Sequence, residues 1–477
     1  MTDGELKATW RGHYGDVQGT LAKMATVGRV VTAFNANIDA VIKVKGTRIA
    51  ELVAATGLTR ESLDSQMARV IRTPADLVRG LVRCFAGGFA EEWLIEDPAV
   101  YQWACDQVGC DRTQMGGQAG IVANAMAVCG VADVLVHCAS LPADQSRLFL
   151  DLPNLRSTAA DGGLAKARDI AREDPPMVHW ILEFDGGDVL PLPGGDIRCP
   201  KSNRFIATYD PMNLGLHVDQ AFARQVAALP CDAVILSGYH LLTETLPDGT
   251  RGADRVDASM DVIRAWRAGS PACLLHLEVA STQDRVVRRH VLEGPARQVD
   301  SIGMNERETI DLIELLDADD LAALCNREPR ADHLFRAMHR VFDHTGCPRV
   351  QLHMYGLYVT IQRKGFRITP AANRRGMQTA AVVAAGKAGT GAIDTPAALL
   401  WALGKDVSDV GLGELKRLAA LPELGGAGGA DGTLLTTGIF EGADFDVIAV
   451  PTILVDRPVT LVGMGDTISS VSLVAAR

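Results

Sequence analysis

A chain of 477 residues, 47% hydrophobic and 22% charged, has enough apolar material for a sizeable globular core, as about three small domains or as one large α/β domain with an insertion. Its net charge of −11 is spread along the sequence, which excludes the basic stripe of nonspecific nucleic-acid binding but not a few cations around an anionic substrate. No apolar run reaches the ~20 residues of a membrane span, residues 1–15 carry no signal core, and the ten cysteines contain no C-x-x-C pair, so they read as reduced thiols of a cytoplasmic protein.

In chain order, RVVTAF (29–34) predicts a first β-strand that stops at Asn35. Apolar spacing over 67–84 predicts a helix, and 86–97 is glycine-rich and then acidic. Gly116 and Gly117 stand before a long apolar stretch, 119–131, that reads as a buried helix. Strands are then expected at 132–139, 178–184, 232–237, 272–280, 299–304, 350–361 and 459–462, with helices near 256–268, 306–316 and 334–345. Apolar strands alternating with amphipathic helices define an α/β fold with a large, mostly parallel sheet flanked by helices on both faces. Residues 40–114 and 178–210 break this alternation and include the turn-rich DGGDVLPLPGGD. They read as a smaller, sheet-containing lid inserted in two pieces, leaving 1–39, 115–177 and 211–477 as the large domain. The stretch GGAGGADG (425–432) reads as a mobile loop.

Three short motifs carry chemistry. Gly463-Met464-Gly465-Asp466 follows the apolar VTLV. Glycines there leave successive N–H groups free at a helix start, which attracts anions, and an aspartate beside them can take a proton from a hydroxyl attacking a phosphoryl group. Such turns also cap ordinary helices. The segment FNANID places Asn37 and Asp39 after a strand, at the sheet edge where open α/β folds bind ligands. These side chains suit vicinal sugar hydroxyls, or equally an Asx-capped polar turn. Gly117-Gln118 opens the apolar helix, either to let a ligand near the backbone or to pack tightly.

FNANID, GGQAG, HLE (276–278), NERE (305–308) and VGMGDTIS occur in this order. Together they resemble the ADP-dependent phosphofructokinases and glucokinases, archaeal-type sugar kinases of ribokinase-like fold, over about 34–470. The resemblance implies that Asp466 is the base for the attacking hydroxyl, with Gly463 and Gly465 in the anion hole. It implies that Asn37, Asp39, Gly117 and Gln118 hold the sugar, with His179 and Arg204 on the lid. It also implies that Asn305 and Glu308 (N-x-x-E) and Glu278 (H-x-E) act through Mg2+ near the phosphates, as suits an ion that keeps waters and substrate oxygens in its shell. Glu306 reads as a solvated first-turn acid.

The acceptor is the finer question. A glucose user of this family is expected to carry a lid glutamate, and Glu91 and Glu92 are both available; Glu91 is taken as the sugar ligand. A fructose 6-phosphate user needs cations, with Lys166, Arg168, Arg198, Lys201 and Arg204 as candidates. Lys201 stands where many relatives have arginine, which would lose the fork geometry of a phosphate clamp. The segment AEEWLIEDP resembles the phosphofructokinase branch. The expectation is therefore transfer of the ADP β-phosphoryl to fructose 6-phosphate by a monomer or small homo-oligomer, with glucose or both sugars as the alternative. An ATP-using kinase of the same superfold and a non-catalytic sugar-binding regulator are the rivals.

Overall fold

The computed structural model describes residues 1–63, 70–425 and 433–477. The start of the helix expected from 67, and all but the first residue of the glycine-rich stretch 425–432, lie outside the described residues.

Short β-branched runs build an eleven-stranded sheet. Its parallel centre runs, in spatial order, through Leu155–Thr158, Asp133–Val136, Arg29–Ala33, Ala233–Leu236, Leu274–Glu278, Ser301–Met304 and Arg349–Met354. Val30, Val31, Val234 and Leu236 have no exposed surface, because helices cover both faces and each strand must be apolar on both sides. Antiparallel strands close the two ends: Leu164–Lys166 at one, and Leu357–Arg363, Phe445–Pro451 and Ile439–Glu441 at the other.

A second, mixed sheet of six strands has the order Val70–Ile71, Glu91–Ile95, Asn203–Tyr209, Val178–Phe184, Asn37–Lys43, Arg112–Gly116. It has its own core, in which Trp93, Phe205, Phe85 and Phe184 pack edge to face. The chain crosses between sheets at Asn35 and Ala36: strand Arg29–Ala33 belongs to the large sheet and strand Asn37–Lys43 to the small one. The crossing thus falls a little before the boundary at 39.

Three expected elements differ. The helix of 67–84 begins at Pro74 and runs to Gly87, because Thr73 caps it and Pro74 suits its first turn. The single strand of 350–361 is a hairpin, Arg349–Met354 and Leu357–Arg363, turned at Tyr355-Gly356. No strand forms at 459–462. The last strand is Phe445–Pro451, and Val459 and Leu461 are 64% and 65% exposed. The glycine turn at 463 is therefore entered from an extended loop, not from a strand.

Candidate active site

Parallel strands deliver their C-terminal ends to one edge, where open α/β sheets bind ligands. Here those ends carry Asn35, Glu278, Asn305 and His353. The small sheet faces them with Asp39, Glu92, His179 and Arg204. Between the two walls lies a cavity of about 320 Å³, which the last helix closes with Gly463, Gly465 and Asp466.

The helix Met464–Val474 starts after Gly463, whose φ of 60° is a left-handed conformation that glycine adopts freely. Its first N–H groups have no partner within the helix. Asp466 sits in this first turn. Gln118 Nε2 donates to its Oδ1 at 2.6 Å, while Gln118 Oε1 accepts from the Gly238 N–H at 3.2 Å, which fixes the amide's orientation. Burial raises the Asp466 pKa, against the Gln118 hydrogen bond and the nearby Lys387 and His240. Gly117 has φ 72°, and a Cβ there would stand 2.6 Å from the Asn35 carbonyl oxygen, so the Gln118 helix starts close against FNANID only with glycine.

On the small-sheet wall, which the sequence predicts to be a lid, most polar groups are paired within the protein. Asn37 donates to Asp39 at 2.9 Å, Thr208 donates to Glu92 at 2.6 Å, and His179 Nε2 lies 2.9 Å from Asp210, which Asn213 also holds. Burial would lower the His179 pKa, but the hydrogen bond and charge of Asp210, with Glu92 and Asp39 behind it, outweigh burial and raise it to about 9. Arg204 lines the cavity, and no carboxylate among the described residues pairs with it.

The large-sheet wall is different. Glu278 and Glu308 are both buried. Burial and the charges of Asp466 and Glu308 push the Glu278 carboxyl well up, although Ser469 donates to it. Burial pushes Glu308 up to about 8. Asn305 caps the helix Glu306–Ile313 in a reciprocal box: the Glu308 N–H donates to Asn305 Oδ1 at 2.9 Å, and the Asn305 N–H donates to Glu308 Oε2 at 2.8 Å. Among the described residues no group of three or more His, Cys, Asp or Glu side chains is arranged to hold a metal ion. Two buried carboxylates with raised pKa values on one cavity wall nonetheless fit Mg2+, which takes one or two carboxylates and fills its shell with waters and phosphate oxygens.

Of the residues named from sequence, Asn37, Asp39, Gly117, Gln118, His179, Arg204, Glu278, Asn305, Glu308, Gly463, Gly465 and Asp466 all line this cavity. Glu91 does not. It accepts from Trp93 Nε1 at 2.9 Å and lies 3.3 Å from Arg83. Strand alternation turns its neighbour Glu92 to the cavity instead. Of the other candidate cations, Lys166 pairs with Asp151 and Asp169, Arg168 donates to the carbonyls of Arg147 and Phe149, Arg198 donates to that of Gly187, and Lys201 does not line the cavity. Sequence reasoning passed over His240, His353 and Lys387. His353 and Lys387 sit inside apolar strand and helix patterns where nothing sets them apart from core positions.

A parallel sheet edge, a second sheet facing it and an anion-binding helix start with a carboxylate beside it define a phosphotransferase of the ribokinase-like class. Residues 28–475 match the model described as "ADP-specific Phosphofructokinase/Glucokinase conserved region", and the chain belongs to that family of ADP-dependent sugar kinases. It is 29% identical to an ADP-specific phosphofructokinase of Methanosarcina acetivorans, over 93% of this chain and 92% of that one. It is 28% identical to an ADP-dependent glucose/glucosamine kinase of Pyrococcus abyssi, over 98% of each. A solved structure of an ADP-dependent kinase in complex with fructose 6-phosphate and ADPβS superposes with a TM-score of 0.81 at 26% identity, covering 100% of this chain and 98% of that one.

Proposed function

We propose that this chain is an ADP-dependent 6-phosphofructokinase that transfers the β-phosphoryl of ADP to the 1-hydroxyl of fructose 6-phosphate, giving AMP and fructose 1,6-bisphosphate. The observation that carries the reading is Asp466, held by Gln118 at an open helix N-terminus and facing a wall of hydroxyl-binding side chains across one cavity. On this reading Asp466 takes the proton of the attacking hydroxyl. The N–H groups after Gly463 receive the transferred phosphoryl. Asn37, Asp39 and His179 orient the sugar, and Arg204 faces its phosphate. Glu308, Glu278 and Asn305 would hold Mg2+, which supplies charge neutralisation at the phosphates. Closure of the lid sheet would exclude water as a competing acceptor.

The residues assigned these roles line one cavity of one chain, and the enzyme is expected to be a monomer or small homo-oligomer. No helix among the described residues is long and apolar enough to cross a membrane, and all ten cysteines are free, as suits a cytoplasmic enzyme.

A second reading has its own observation. Among the described residues, the cavity's lid wall offers Arg204 as its one arginine or lysine, beside the carboxylates of Glu92 and Asp39, which suits a neutral hexose with hydroxyls to bind. The test is AMP release from ADP and Mg2+ with fructose 6-phosphate, with glucose and with no acceptor. AMP with fructose 6-phosphate alone supports the first reading, and AMP with glucose alone replaces it with the second. AMP with both sugars makes the enzyme bifunctional. Turnover with ATP but not ADP overturns the donor assignment.

A further inference from the structure

The helix Pro370–Thr390 is apolar and buried through most of its length, yet its last turn carries Lys387, which is 7% exposed. A buried ammonium needs partners, and those it finds are neutral. Its Nζ donates to the Gly463 carbonyl at 3.0 Å and to Thr467 Oγ1 at 3.2 Å, and no carboxylate among the described residues lies within ion-pair distance. Burial lowers its pKa to about 8, against the more distant Asp466 and Asp39. A purely structural position would be served better by an apolar side chain, since an unpaired buried charge costs stability.

We propose that Lys387 is a positioning residue for phosphoryl transfer, acting through the peptide group that opens the anion-binding turn. The Gly463 carbonyl and the Met464 N–H belong to one resonant amide. An ammonium on its oxygen draws electron density from its nitrogen and makes the N–H a stronger donor, as hydrogen-bond chains polarise one another. That N–H is among the helix's first unsatisfied donors. The contact also fixes the turn that carries Asp466, and it places positive charge behind the position where negative charge gathers on the transferred group. Lys387 further lines a second cavity of about 330 Å³, and Ile121 and Val462 line both that cavity and the active site. The ammonium therefore stands where a small cation from solvent could replace it. This inference rests on the kinase reading.

The test compares the parent with Lys387→Met and Lys387→Ala in AMP release with the active sugar. Expected is a ~10-fold or larger fall in kcat, with KM for ADP and sugar moving by less than about threefold and a melting temperature no lower for the methionine variant. Methylammonium, but not tetramethylammonium at the same concentration, should restore part of the alanine variant's kcat. If either variant fails to fold, Lys387→Arg is measured, and it should keep kcat within about tenfold of the parent while leaving KM unchanged. The inference is overturned if Lys387→Met turns over like the parent. It is equally overturned if its loss lies in KM and melting temperature with no recovery by amine, or if a folded arginine variant is as inactive as an emptied site. A parent that releases no AMP with any sugar sinks the kinase reading itself, and the role of Lys387 with it.

Discussion

The two walls of the cavity treat charge in opposite ways. The lid wall satisfies most of its polar groups internally, with His179 set against Asp210, Asp39 against Asn37 and Glu92 against Thr208, and leaves Arg204 facing the cavity. The large-sheet wall gathers Glu278, Glu308 and Asp466, each pushed up in pKa by burial, while the buried cations behind it bond to neutral groups instead, Arg349 to Ser301 and Gln351 and Lys387 to the Gly463 carbonyl. Paired groups can exchange a neutral partner for a sugar hydroxyl at little cost. Crowded carboxylates are eased by taking up a proton or by a cation that joins them. On the proposed function, the lid wall selects the sugar and the large-sheet wall is completed by metal and phosphates.

That contrast is broken most severely at Asp466. Asp466→Asn keeps the Gln118 contact but cannot accept the proton, so kcat should fall ~100-fold or more while ADP still binds. Near-normal turnover would remove the residue from the chemistry.

The next effect separates stability from activity. Glu278→Gln and Glu308→Gln each remove a buried carboxyl that costs the folded protein stability whether it is charged or held protonated, so without metal both should melt at or above the parent temperature. Turnover at fixed Mg2+ should nonetheless fall about tenfold or more, and more Mg2+ should be needed for half-maximal rate. A variant that melts lower and keeps its Mg2+ dependence would show a purely structural carboxylate.

Smaller effects test the lid wall. Removing one hydrogen-bonding partner from a substrate is worth about 1–3 kcal/mol. Glu92→Ala should therefore raise KM for glucose about tenfold and leave fructose 6-phosphate little changed, and Arg204→Met should do the reverse. Equal shifts for both sugars would mean that neither residue discriminates.

How much of this was legible in the sequence follows the same division. The large sheet was readable because strands buried on both faces must be apolar throughout, as in VVTA and AVIL. The motif residues were ambiguous one at a time, since each turn also suits a capped or tightly packed helix, and became readable only through five short motifs in a fixed order. The segment VTLV misled because a loop lying beside the site is as apolar as a strand. The run RVQLHMYGLYVTIQR hid a hairpin behind one glycine, whose φ of 87° lets the chain reverse. Glu91 and Glu92 could not be told apart because neighbouring side chains point to opposite faces, and only the register of the strand with Asn203–Tyr209 decides which glutamate faces the cavity. Lys387 had no signal at all, since its partner is a backbone carbonyl 76 residues away.

The smallest predicted effect concerns His179, and its sign follows from its partner. The folded pKa of about 9 lies above the ordinary histidine value of 6.5. Below pH 6.5 folded and unfolded chains both carry the proton, and the Asp210 contact contributes its full stabilisation. Between 6.5 and 9 only the folded chain keeps the proton, so that contribution, at most about 3 kcal/mol, is lost as pH rises. Lys387, lowered to about 8 from an ordinary value of 10.5, titrates with the opposite sign in an overlapping interval, so the measurement is the difference between the parent and His179→Gln in urea midpoint across this range. The parent's advantage should shrink steadily from pH 6.5 to 9. Parallel curves would mean that the imidazole is neutral in the folded protein, and that the lid wall presents one cation, Arg204, rather than two to an anionic sugar.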